Sequence, residues 1–271
     1  MAINPDALWT RSLGATVITQ CVLDRFGGYL KLTGMNDVLH DGCVDGYLTK
    51  NVIYPHIANY VKTILGTDRW QTTIDIANQE NSSNKITYQA FDIMNATDQE
   101  LDQMKNRFDY IFSVFVAEWK VPNSTLLEKY YKILKTNGQI FVVILADTPL
   151  HQSYYTMAEE PRWKNLLTAT QIFENYTADP VDYINSLAAN AGFRTDVCEA
   201  QSTSMPFKDF PDVVDLVSRL YFDFWGNMSE NEQNQFLKEN LKNCLSHMTY
   251  SEETSTYDYP FKGVMCIATK R

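Results

Sequence analysis

The sequence predicts a doubly wound, mostly parallel α/β sheet of seven strands with a helical cap, and three features carry that expectation. Apolar runs of strand length alternate with helix-length segments from residue 37 to residue 147. A glycine-flanked turn follows the first of those runs, and beyond Pro149 the rhythm gives way to aromatic, helical stretches before a last apolar strand. Strands separated by helices return to one sheet through crossovers, which makes the sheet parallel and covers both of its faces.

Taken in order, residues 5–27 read as a helical opening broken near Gly14, followed by a turn at 34–36 and a first strand at 37–41. A helix through about Ile57 leads to a second strand at 61–68, a helix near 71–79, a polar loop and a third strand at 86–92. The alternation continues with a helix near 98–105, a strand at 108–115 and a helix at 123–135 behind Pro122. Residues 135–138 read as a turn and 139–147 as a fifth, strongly apolar strand. Residues 150–174 are helical, 179–191 form a helix stopped by Gly192, and 193–202 form a strand. Helical stretches near 210–225 and 229–247 precede a closing strand from about Tyr259. The groups Tyr154-Tyr155 and Phe222, Phe224 and Trp225 suit either an apolar pocket or ordinary core packing at helical spacing.

Composition narrows the partners. The formal charge of −10, with no basic run to interrupt it, opposes phosphate backbones and anionic lipid heads, so neither nucleic acid nor membrane insertion is expected. No apolar stretch reaches spanning length and the opening residues lack a secretory pattern, so a cytoplasmic monomer or homodimer acting on a small apolar substrate is the expectation. Cys21, Cys43, Cys198, Cys244 and Cys266 are scattered and read as free thiols; His40, His56, His151 and His247 lack metal-site spacing, so no metal is expected.

Four strand ends carry candidate chemistry. The first runs into Gly42 and Gly46 around Cys43, a Gly-x-x-x-Gly turn that lets backbone turn tightly beside a ligand, although a packing turn reads the same way. Asp68, with Arg69 after it, closes the second strand where an acid accepts the hydroxyls of an adenosine ribose. Asp92, flanked by Phe91 and Ile93, closes the third and suits an adenine amino group; either acid would serve equally as a helix cap. Ser113 and, six residues on, Trp119 follow the fourth, and an aromatic face there attracts a sulfonium, which points to S-adenosyl-L-methionine. The glycine spacing is not the Gly-x-Gly-x-x-Gly of dinucleotide sites.

On these motifs the sequence resembles the insect juvenile hormone acid O-methyltransferase family, over nearly the whole chain. Its strand-one motif, an acid followed by Leu-Gly-Cys-Ala-Asp-Gly, falls on His40 to Gly46. Its Gly-x-Asp and Asp-Ile fall on Gly66-Thr67-Asp68 and Asp92-Ile93, its Ser-Phe-x-x-Leu-His-Trp block on Ser113 to Trp119, and its Ala-x-Thr-Pro on Ala146 to Pro149. The resemblance implies a class I, Rossmann-like methyltransferase: one domain over 1–271, N-terminal helices at 1–28, a cofactor-binding half at 36–147 and cap segments at 150–178 and 205–250. It implies transfer of a methyl group from S-adenosyl-L-methionine to the carboxylate of farnesoic or juvenile hormone acids. Three positions depart from the pattern. His40 stands for an acid and is able to carry positive charge, Glu118 stands for a histidine, and Thr16, with Gln20 one turn later, stands where a glutamine orients the substrate carboxylate.

A carboxylic acid with a pKa of about 4 is already ionised at neutral pH, so its methylation needs alignment, a hydrogen-bond donor and no general base. Trp119 is expected to position the acceptor, Thr16 or Gln20 to donate to it, and Glu118 to bring an unfavourable charge near it. The departures leave two other readings open: a different acceptor, such as an alcohol, phenol or amine, or another reaction on the same cofactor; and a non-catalytic ligand-binding descendant.

Overall fold

The computed structural model describes residues 13–116, 123–170, 179–208, 211, 213–214 and 228–271. The expected alternation is present in it. Strands β1 (Asn36–Asp41), β2 (Val61–Asp68), β3 (Ile86–Ala90), β4 (Phe108–Val114), β5 (Leu134–Asp147), β6 (Phe193–Phe207) and β8 (Thr256–Lys270) lie in the order β3-β2-β1-β4-β5-β8-β6. Strands β1 to β5 pair in parallel, and β8 enters antiparallel between β5 and β6. The order reverses at β1, so the carboxyl ends of β1 and β4 open a crevice of the kind in which ligands bind on such sheets.

The period of two along each strand sorts side chains between the two helical layers. Val38, Ile64, Phe112, Val143 and Ile267 face one core, against α1 (Leu13–Phe26), the helical segment Thr49–Ile57 that includes α2 (Tyr54–Ile57), and α3 (Gln71–Glu80). Leu39, Leu65, Ile111, Val142 and Cys266 face the other, against α4 (Asp98–Gln103), α5 (Asn123–Ile133) and α8 (Pro180–Asn190). A third cluster joins α6 (Pro149–Glu159), α7 (Lys164–Thr170) and α9 (Glu230–Ser246): Trp163 meets the Phe236 ring edge-on at 5.2 Å, beside Tyr154 and Met157.

Local chemistry sets the ends of these elements. Thr97 with Glu100 and Ser229 with Glu232 form capping boxes, and Asp179 caps α8 ahead of Pro180. Pro55 has no N–H for the carbonyl of Asn51, and the preceding turn, Thr49–Ile53, is widened to π-helical form.

Several expectations need correction. α1 begins at Leu13, the first described residue, so a break upstream of Gly14 lies outside the described residues. The turn expected at 135–138 lies inside β5, as a bulge in which Asn137 takes a positive φ of 65° and the register to β4 slips. β3 ends at Ala90: Phe91 makes one last bond to β2, and the chain turns away at Asp92. The region 205–250 is not wholly helical: β6 extends to Phe207, and a short eighth strand, β7 (Thr249–Ser251), pairs with β8. Helical expectations at 5–12 and 171–174, and most of that at 210–225 with Phe222, Phe224 and Trp225, lie outside the described residues.

Candidate functional site at the carboxyl ends of the strands

The parallel register brings the candidate acids to one edge. Asp41 pairs with Thr67 and with Ser113, Asp68 pairs with Ala90, and the Phe91 N–H donates to the Asp68 carbonyl at 2.8 Å. Asp68 and Asp92 therefore stand on adjacent strand ends. The Asp68 Oδ1 accepts from the Trp70 N–H (3.0 Å) and the Thr73 hydroxyl (3.2 Å), while Asp92 closes a turn by accepting from the Met94 N–H (3.0 Å) and the Asn95 amide (2.8 Å). Each carboxylate is held in one orientation by these donors.

Sequence reasoning missed two groups beside these acids. Trp70 is an exposed aromatic two residues after the buried Asp68, with the Arg69 guanidinium 4.7 Å above its ring. Lys129, on α5, donates to the carbonyls of Ile93 (2.9 Å), Met94 (2.5 Å) and Ala96 (3.2 Å), spending all three ammonium hydrogens on the loop that carries Asp92. Trp70 was visible two residues past a strand-end acid; nothing local marks Lys129, whose contacts lie more than thirty residues away. Ile93 is buried as a whole, its side chain in the core and its carbonyl taken by Lys129.

The turn after β1 is built largely from its own protein contacts. The Gly42 and Cys43 N–H groups donate to the Thr67 carbonyl (2.7 and 2.9 Å), and the Gly46 N–H to the Cys43 carbonyl (2.8 Å). Gly42 and Gly46 have φ of +75° and +77°, and a Cβ on Gly42 would lie 2.2 Å from the Val116 Cγ2, one on Gly46 2.6 Å from the Tyr88 hydroxyl. Both glycines are thus required by packing as well as by backbone conformation, a reason different from ligand approach alone. Val44 (φ 51°) and Phe115 (φ 57°) occupy the same left-handed region without being glycine, and both flank the crevice, where such strain is commonly stored.

Charge here differs from the sequence expectation. His40 is buried and shares a 2.7 Å hydrogen bond through Nδ1 with the Thr49 hydroxyl, and burial lowers its pKa to about 4. It is a neutral imidazole, which corrects the expectation of positive charge, and its Nε2 has no partner among the described residues. Asp41, one residue on, faces the opposite side of the sheet and accepts from the Tyr130 hydroxyl (2.6 Å) and the Thr67 hydroxyl (3.3 Å). Cys43 lies among acids: burial, reinforced by the carboxylates of Asp68, Asp41 and Asp45, pushes its thiol far above the ordinary range. The crevice is consequently anionic in character, and Cys43 is no nucleophile.

The other candidates divide. Ser113 is fully buried at the end of β4. Thr16 and Gln20 are half-buried on α1, which packs toward the π-helical turn holding Thr49, and the Gln20 amide donates to Asp24 (2.9 Å). Glu118 and Trp119 lie outside the described residues. On the cap side, Thr148 caps α6 and shares a 2.8 Å hydrogen bond with His151, which burial keeps neutral, with a pKa of about 3. Among the described residues no group of His, Cys, Asp and Glu is arranged to hold a metal ion, and no helix is long and apolar enough to cross a membrane.

Residues 39–142 match the methyltransferase domain family. The juvenile hormone acid O-methyltransferase of Bombyx mori is 21% identical over 175 residues, 63% of this chain; the match spans only 62% of that relative's length. Among solved structures, the YcgJ protein of Bacillus subtilis superposes with a TM-score of 0.58 at 12% identity, covering 93% of this chain and 98% of its own. Phosphoethanolamine N-methyltransferase 2 of Haemonchus contortus, solved with S-adenosyl-L-methionine, gives a TM-score of 0.52 at 16% identity, over 94% of this chain and 52% of its own. Strand order, crevice and these likenesses converge on one fold, that of the S-adenosylmethionine-dependent class I methyltransferases, with the methyltransferase-domain match confined to residues 39–142.

Proposed function

We propose that the chain binds S-adenosyl-L-methionine in this crevice and transfers its methyl group to the carboxylate of a small apolar acid, terpenoid acids being one class. The observation that carries cofactor binding is the pairing of Asp68 and Asp92 on adjacent strand ends beside an acid-rich glycine turn, a fit for a ribose, an adenine and a cationic sulfonium in one line. When bound, the cofactor supplies an activated methyl group for in-line displacement.

The protein's part is alignment and exclusion of water. Asp68 would hold the ribose hydroxyls, with Trp70 and Arg69 at its rim; Asp92 would hold the adenine edge, on a loop tied down by Lys129. Val116 walls the turn at Gly42, and the neutral His40 offers its Nε2 in place of the family's acid. Thr16, Gln20 and Trp119 are assigned to the acceptor. No base is invoked, since the acceptor is already ionised.

One observation favours a second reading. Three buried carboxylates gathered around Cys43 give the crevice a field that opposes an anionic acceptor and accepts a neutral or cationic one, such as an alcohol or an amine. Turnover of labelled S-adenosyl-L-methionine against parallel panels of apolar acids, alcohols and amines separates the two. Labelled ester with acids alone supports carboxyl transfer; ether or methylamine products alone overturn it. Absence of cofactor binding by calorimetry overturns both and leaves the non-catalytic alternative.

A further inference from the structure

Two of the five cysteines are brought together by the sheet. Cys198 on β6 and Cys266 on β8 are register partners in the antiparallel pair, one residue past a bulge between Thr195 and Val197. Residues directly opposite in such a pair have Cα atoms roughly 4.5–5.5 Å apart, inside the ~4.4–6.8 Å span of a disulfide. The Cys198 thiol donates to the Val181 carbonyl at the start of α8 (3.9 Å). Cys198 is half-buried and Cys266 buried, so only the first is open to a reagent from solution.

We propose that Cys198 and Cys266 form a thiol-oxidation site that takes hydroperoxides and closes into a reversible cross-strand disulfide. In the first step the Cys198 thiolate attacks the O–O bond of hydrogen peroxide; an S–O bond forms, hydroxide leaves, and Cys198 becomes a sulfenic acid. In the second, the Cys266 sulfur attacks the Cys198 sulfur, the S–S bond forms, the S–O bond breaks, and the departing hydroxide takes the Cys266 proton as water. Two thiols lose two electrons and the peroxide gains them.

The division of labour follows from the surroundings. The hydrogen bond with Cys266 holds the Cys198 thiol below its ordinary range, which favours the thiolate at the accessible position. Cys266, sharing that bond and buried in the core beside Ile267, is raised well above its range and serves as the resolving thiol. The neighbouring bulge supplies the local freedom needed to bring the two sulfurs together. The new bond would tie edge strand β6 to β8, which is itself paired with β5.

The test exposes the intact, natively folded chain to hydrogen peroxide, blocks remaining thiols, and maps peptides by mass spectrometry. The expected result is a linked pair of peptides holding Cys198 and Cys266, a mass lower by about 2 Da, two fewer titratable thiols, and full reversal by dithiothreitol. Under the same treatment Cys266→Ala should accumulate sulfenic acid at Cys198, trapped by dimedone, and Cys198→Ser should show neither product. The proposal is overturned if the exposed Cys21 oxidises while both peptides stay reduced, or if the link forms only in urea. The wild-type measurement decides even where a variant fails to fold.

Discussion

Gly42→Ala is the perturbation whose size the structure defines best. The residue sits at φ +75°, and the added methyl carbon would lie 2.2 Å from the Val116 Cγ2 and 2.6 Å from its Cγ1. Holding a non-glycine residue in the left-handed region costs about 1–2 kcal/mol, and overpacking a filled site costs about 1–3 kcal/mol. Together they predict a loss of about 2–5 kcal/mol, or on the order of 4–20 °C in Tm for a chain of this size. The two contributions separate in a double-mutant cycle with Val116→Ala, followed by urea unfolding. Val116 is half-buried, so its own truncation should cost only about 1 kcal/mol, while the double variant, which sheds both Cγ contacts but keeps the Val116 Cβ 2.8 Å away, should regain about 1–2 kcal/mol of overpacking and keep the backbone strain. Costs that simply add, to within about 0.5 kcal/mol, would show that Val116 does not press on Gly42 and would refute the packing account of this glycine.

Three further outcomes are expected. Lys129→Met should weaken S-adenosyl-L-methionine binding roughly tenfold by calorimetry, as several net hydrogen bonds of about 1 kcal/mol each leave the Asp92 loop; wild-type affinity in the variant would remove Lys129 from the positioning role. Tyr130→Phe should destabilise the fold by about 1.5–3 kcal/mol, since it strips the 2.6 Å donor from a buried carboxylate, and a change under 0.5 kcal/mol in denaturant titration would contradict that bond. His40, at about 4 in the fold against 6.5 unfolded, binds its proton only in the unfolded chain between those values. Its contribution to stability is therefore full above about pH 6.5 and falls away as pH drops toward 4; His40→Asn should flatten the stability slope in that window by up to one proton, about 1.4 kcal/mol per pH unit, and an unaltered slope would count against a neutral His40.

What was legible in the sequence was what local pattern controls. The alternation of apolar strands and helices located β1, β2, β4 and α3 to within a residue or two, because both periodicities are written along contiguous residues. The strand-end acids were legible for the same reason: a parallel register places the ends of neighbouring strands side by side once the strands themselves are known. The bulge at 135–138 was not, since Asn137 and Gly138 signal a turn whether or not a neighbouring strand carries the ladder through it. Nor was β7, three residues that extend only because β8 is there to pair with them.

At the crevice the division is sharper. By itself the sequence determined which residues stand at the carboxyl edge, that a histidine occupies position 40, and that glycine occupies two points of the turn. Only the tertiary structure decided that His40 is neutral, that Asp41 is held by Tyr130 on the far face, that Val116 and Tyr88 demand those glycines, and that Cys198 meets Cys266. Charge state and steric need are set by burial and by partners from 42 to 89 residues away, and such partners enter the physics only when the chain has closed on itself.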